Sequence, residues 1–268
     1  MDDLHRKLAP ISKDAWKAID DEAKKHLTVS LGGRRIVDFD GPRGWSFSAV
    51  ELGRVQAIDT QSEPGVSAAV RRVLPLVELR ASFELSRREL ENIARGSRDP
   101  DLEAVRTAAR AVALAEDRAI FYGFPAAGIV GLFEASADNT LTLTRDYQRY
   151  PLVVSEGMAR LHANGVGGPY ALALGPDCYK GLTGTATSGG YPVLEHVQRL
   201  INGSVFWAPA VRGALIASLR GGDFELVVGR DLSIGYEEHS TSTVRLYLQE
   251  SLTFRVLSPE AAVPLVYG

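Results

Sequence analysis

Cysteine is almost absent from this chain: Cys178 is the one thiol among 268 residues. No intrachain disulfide can form, which excludes a disulfide-stapled scaffold and fits a reducing compartment, so the expected location is the cytoplasm. Long apolar runs are missing too. None approaches the roughly 20 residues that span a bilayer, and the opening Met1-Asp2-Asp3-Leu4-His5 lacks the apolar stretch of a secretory signal. No membrane partner is expected. Neither sign of charge is in excess, since 30 Lys and Arg face 33 Asp and Glu for a net charge of −3. Without a basic excess or stripe, no nucleic-acid partner is expected.

Catalytic signatures are equally scarce. His5, His26, His162, His196 and His239 show no metal-ligand spacing such as two histidines four apart on a helix. There is no Gly-x-Ser-x-Gly elbow to present a nucleophile. A Gly-Lys pair is lacking, which excludes a Walker-type phosphate loop, and so is a Gly-x-Gly-x-x-Gly dinucleotide fingerprint. Cys178 beside Tyr179 reads as a small, partly buried residue rather than a nucleophile, because free cysteine is usually structural. No catalytic, metal-binding or cofactor-binding residue is assigned, and the chain is not expected to be an enzyme.

What is present is ordinary globular composition, 45% apolar and 24% charged. The length lies between one large and two small domains at about 150 residues each. Ser12 is placed to cap a helix running to about Leu31, with Trp16, Ile19, Ala23, Leu27 and Leu31 on its apolar stripe. Gly32-Gly33 reads as its stop. Residues 46–75 mix short apolar alternation with a polar bend at Thr60-Gln61-Ser62-Glu63-Pro64-Gly65, which suits a projecting arm better than a core element. Val77, Leu79, Ala81, Phe83 and Leu85 alternate with polar residues as in a half-buried strand. Asp99-Pro100 reads as the start of a helix that continues to about Tyr122. Glu116 falls on its apolar stripe, where a structural ion pair with an arginine is expected, since a buried carboxylate needs a partner.

From about 130 to 220 helices and strands alternate: a helix over 151–163, a strand at Tyr170–Leu174, a helix over 192–201, then strands near Ser204–Trp207 and Ala214–Ser218. The loop Thr183-Gly184-Thr185-Ala186-Thr187-Ser188-Gly189-Gly190 reads as a flexible surface loop, with hydroxyls and glycines suited to holding an anion as the alternative. Val244, Leu246, Leu248, Leu252, Phe254 and Val256 mark the clearest strand in the chain, its rhythm broken at Glu250. The fold class is α+β, with an insert-like α/β lobe in the middle and one lobe built from both chain ends.

Several ordered stretches carry a family resemblance: "LAPISKDAWKAIDDEA", "GRRIVDFDGPRGW", "PLVELRASFELSRREL", "AEDRAIFYG", "RGGDFELVVGRDLSIGY" and "VRLYLQESLTFRV". Together they resemble the encapsulin shell family, also labelled linocin-type bacteriocins, over essentially the whole chain. The resemblance implies the tailed-bacteriophage major capsid protein fold with a peripheral lobe, an axial lobe and an extended loop. It divides the chain into an N-terminal lumenal helix and start of the peripheral lobe (1–45) and the extended loop (46–75). The peripheral lobe with its spine helix (76–129), the axial lobe (130–222) and a return to the peripheral lobe (223–268) follow.

By the same resemblance, many copies close into an icosahedral nanocompartment that encloses cargo enzymes carrying a short targeting peptide. The implied peptide groove uses Leu27, Leu31, Arg34, Asp38, Leu232, Ile234 and Tyr236, and Thr183–Gly190 would lie near a pore. One departure stands out. Some relatives stack a flavin on a tryptophan where this chain has Arg88, so no cofactor is expected. The alternatives weighed are a prophage-type capsid protein, which shares the fold, and a protease or bacteriocin.

Overall fold

In the computed structural model, which describes residues 3–58 and 65–268, Ser12 caps α1 (Lys13–Ser30), its Oγ accepting the Ala15 N–H at 3.2 Å. Ala15, Ile19, Ala23 and Leu27 form its buried stripe. The chain leaves α1 through Gly32 and Gly33, whose N–H groups both donate to the buried Asp117 carboxylate, at 2.9 and 2.8 Å. The glycines matter here for close approach rather than for a left-handed turn: a Cβ on Gly33 would sit 2.6 Å from Ile120 Cδ1.

After β1 (Asp38–Asp40), β2 (Ala49–Ile58) and β3 (Ala68–Pro75) pair antiparallel as a two-stranded sheet of their own. The bend expected at Thr60-Gln61-Ser62-Glu63-Pro64 lies outside the described residues. β4 (Val77–Ser86) alternates in burial as its sequence predicts, and is followed by α2 (Arg87–Ala94).

The long helix α3 (Glu103–Tyr122) starts later than Asp99-Pro100 suggested. Asp101 supplies the first acceptor, its Oδ1 taking the Glu103 N–H at 3.0 Å, while Asp99 is occupied by the Ser97 hydroxyl.

The middle of the chain gives α4 (Leu132–Ala135), β5 (Leu141–Leu143), α5 (Tyr150–Ala163), β6 (Tyr170–Leu174), α6 (Pro176–Thr183), α7 (Val193–Ile201), β7 (Ser204–Trp207) and β8 (Ala214–Ser218). Then come β9 (Phe224–Val228), β10 (Ser233–His239), β11 (Thr243–Val256) and β12 (Ala262–Tyr267). Two five-stranded sheets result. In the first, β11 pairs along one edge with β4, and its other edge is shared by β10 and β9, with β1 parallel to β9. The second has the order β5-β12-β8-β6-β7. β6 and β8 are buried at every residue, as strands covered on both faces are, which explains their continuous apolar runs.

β12 corrects the expectation that residues 223–268 all return to the first lobe. It lies between β5 and β8, so the chain's last strand belongs to the sheet of the middle segment. Pro264 hid it, because proline argues against an interior strand.

Two apolar cores meet end to end. One gathers Ile19 and Leu27 of α1, Phe83 and Leu85 of β4, Val105 and Val112 of α3, and Leu246 and Leu248 of β11. The other contains the second sheet and its helices, together with Ile120 and Phe121 of α3 and Leu252 and Phe254 of β11. α3 and β11 thus run through both cores. Each is apolar on either side of the junction and charged at it, with Glu116, Asp117 and Glu250 all buried there.

Candidate functional site

A groove of about 480 Å³ lies between α1 and the β9–β10 turn leading into β10. Its apolar wall is Ala23 and Leu27 of α1 and Leu31 at the end of that helix, facing Leu232, Ile234 and Leu248, and Lys24, Thr28 and Asp20 also line it. The positions on α1 follow from helical spacing: residues three and four apart share a face.

Arg34 closes one end of the groove and reaches into the seam between the cores. Its Nε lies 2.8 Å from Glu116 Oε1, and its Nη2 lies 2.7 Å from Glu116 Oε2, 2.5 Å from Glu250 Oε1 and 2.9 Å from Asp231 Oδ1. The arginine expected to partner Glu116 is therefore Arg34. One guanidinium serves three carboxylates, and the surplus of negative charge has a consequence. Burial, then the charge of Glu116, raises the pKa of Glu250 well above the carboxylate range. Among the described residues, none donates a hydrogen bond to Glu250 Oε2. Burial likewise raises Asp117 to about 7, against the opposing effect of the Gly33 and Gly32 N–H groups. The cluster is a clamp that fixes Arg34 beneath the groove.

Leu27, Leu31, Arg34, Leu232 and Ile234 therefore converge on one groove. Asp38 does not join them. It sits on β1, where its Oδ2 accepts the Gly222 N–H at 2.6 Å, beside a separate cavity formed with Arg35 and Asp223. Tyr236 also lies outside the groove walls. Its N–H donates to Leu4 O at 2.8 Å and its hydroxyl lies 2.5 Å from His239 Nδ1; its surroundings include Trp45, Arg80 and Tyr247.

Thr183–Gly190 does not line the groove and is tighter than a flexible loop. Thr183 ends α6, and the Thr187 N–H donates to Tyr191 O while the Gly190 N–H donates to Thr187 O, both at 2.8 Å. Ser188, Gly189 and Gly190 form its exposed tip. Cys178 is buried, its Sγ 2.8 Å from Tyr150 Oη and 3.2 Å from Tyr267 Oη, and burial raises the thiol pKa. Arg88 is exposed on α2. Among the described residues no group of three or more His, Cys, Asp or Glu is arranged to hold a metal ion, and no helix is long and apolar enough to cross a membrane.

A family model described as an encapsulating protein for peroxidase (Linocin_M18) matches residues 1–253. The chain belongs to the encapsulin shell-protein family. A type 1 encapsulin shell protein of Rhodospirillum rubrum is 55% identical over 270 residues, covering 99% of this chain and 96% of that protein. The type 1 encapsulin shell protein of Mycobacterium tuberculosis is 44% identical over 265 residues, covering 99% of each. The encapsulin fold is capsid-like: a virus-like particle from Pyrococcus furiosus superposes with a TM-score of 0.63, covering 92% of this chain and 97% of that one at 16% identity. A chain from Microbacterium phage Oxtober96 gives 0.58, with 89% of this chain and 91% of that one covered at 12% identity. These distant likenesses establish the fold alone.

The groove residues that sequence reasoning did not name are Leu4, Arg6, Asp20, Ala23, Lys24, Thr28, Asp231, Ser233 and Leu248. Four of these, Asp20, Ala23, Lys24 and Thr28, share a face of α1 with Leu27 and Leu31, so helical periodicity alone carries the signal. Leu4 and Arg6 carry none, because a short irregular segment has no periodicity to follow.

Proposed function

We propose that many copies of this chain assemble into an icosahedral nanocompartment that takes up a cargo enzyme through a short targeting peptide bound in the α1–β10 groove. The chain itself contributes walls and a docking site, and the chemistry belongs to the cargo. The carrying observation is the groove: an apolar trough beside the outer edge of β10, with a clamped arginine at its end. Apolar pockets take the side chains of an extended peptide, and an open strand edge takes its backbone.

The β2–β3 hairpin supports the assembly half of the reading. It projects as a separate two-stranded sheet, and it exposes Val55, Ile58, Val70 and Val73. An isolated hairpin is marginal in water, so this one is read as the extended loop that completes itself on a neighbouring copy. The division into peripheral and axial lobes, and a pore role for Thr183–Gly190, belong to the same proposal.

Removing α1 altogether is a poor test of cargo capture, because Ile19 and Leu27 lie in the core and each contributes about 1.5–3 kcal/mol through burial. Leu31 and Leu232 are half-buried groove residues and serve better. Shells purified from the native host should carry a cargo protein, and Leu31→Lys with Leu232→Lys should yield shells of unchanged mass without it. Full cargo occupancy in that double variant would contradict the groove assignment.

A further inference from the structure

The strand edge next to the groove is already covered by the chain itself. The Tyr236 N–H, on the outer edge of β10, donates to Leu4 O at 2.8 Å. That is the type of backbone bond a peptide added to this edge would make. Leu4 and Arg6 also form part of the groove wall, beside Leu27, Leu31 and Ile234.

The segment holding these residues is anchored at few points. The Asp3 carboxylate pairs with Arg230. Arg6 Nη2 donates to Asp20 Oδ2 at 2.7 Å, and its guanidinium lies 3.9 Å over the Trp16 ring. No residue of Arg6–Leu8 is buried, and Leu8 is 69% exposed. The segment is thus tied down by partly exposed ion pairs, which are weak, one backbone bond, one ring contact and the half-buried Leu4 side chain at the groove wall. It adds little to the core, yet it covers a position on the β10 edge that an incoming peptide would use.

We infer that residues 3–8 are a detachable strap that forms part of the groove wall and competes with peptide for the adjoining β10 edge at Tyr236. The inference rests on reading the groove as a peptide site and adds its regulation. With the strap docked, a peptide meets the apolar trough at Leu232–Ile234 but not the edge bond at Tyr236. With the strap released, both are open. An internal competitor lowers affinity by the fraction of time it holds the site.

A fluorescent peptide copying Asp3–Pro10 serves as the probe, titrated by anisotropy against assembled full-length protein and against an assembly from which residues 3–8 are deleted. Binding to the deleted form, weakened by about tenfold or more in the full-length form, is the expected result. Equal binding to both, or no binding to the deleted form, overturns the strap. Should the deletion prevent assembly, full-length Arg6→Ala decides the matter by hydrogen exchange: the Tyr236 amide should exchange faster than in the unaltered protein. Unchanged exchange would show a fixed part of the fold. Either failure is distinguishable from failure of the peptide-site reading, which the Leu31 and Leu232 variants test without reference to the strap.

Discussion

Glu116 of α3 and Glu250 of β11 meet on a single guanidinium, with Arg34 Nη2 at 2.7 Å from the first and 2.5 Å from the second. Each carboxylate interrupts an otherwise apolar element at the same level of the molecule, where the two cores abut. A helix and a strand that both run through the two cores are joined there by a charged clamp, and the same arginine forms an end of the groove. The junction of the two cores and the groove therefore share one residue.

Removing the clamp's cation should cost far more than removing one of its anions. Arg34→Met leaves Glu116 buried without a counter-charge and should destabilise the subunit by about 3–5 kcal/mol. Glu250→Gln keeps an acceptor for Arg34 while relieving the surplus negative charge, and should change stability by less than about 1 kcal/mol. Thermal melting of the two variants in one buffer checks the order; a Glu250→Gln variant as unstable as Arg34→Met would contradict it.

Asp117 predicts a pH dependence of definite sign. Its folded pKa of about 7 lies above the ordinary 3.8, so the folded state holds more protons than the unfolded state between these values. The contribution is fully present below about pH 4 and is lost as pH rises through about 7. Glu250, also raised, acts in the same direction. Asp117→Asn removes one titrating group while keeping an acceptor for one of the two glycine N–H groups, so the variant should be less stable overall and should show a flatter fall in melting temperature between pH 4 and 7. An unaltered slope would show that Asp117 does not titrate in that window.

Charging the hairpin should separate folding from assembly. Val55 and Val70 are 68% and 51% exposed, so Val55→Lys with Val70→Lys leaves the subunit's cores untouched. The double variant should retain its circular dichroism and elute as a small species instead of a particle. Normal particles would remove the hairpin from the assembly contact.

Much of this was legible from residues alone, and the failures have physical causes. The stripe of α1 and its Ser12 cap followed from spacing, as did the alternation of β4 and the need of Glu116 for an arginine. Glu250 stood out as a break in the rhythm of β11, yet nothing local linked it to Glu116, because their meeting depends on the packing of α3 across β11. β12 was hidden by Pro264 and α6 by its brevity. Asp38 was assigned to the groove by resemblance, whereas the pairing of β1 with β9 takes it elsewhere. Residues 3–8 carry no pattern at all, and their place beside β10 is defined by the tertiary bond between Leu4 O and the Tyr236 N–H.

The central claim, that this chain closes into a shell, is tested most directly by the mass of the purified protein. Light scattering after size exclusion, with negative-stain images of the same fraction, should give uniform hollow particles of megadalton mass. A monomer or small oligomer persisting across salt and pH conditions would contradict the account.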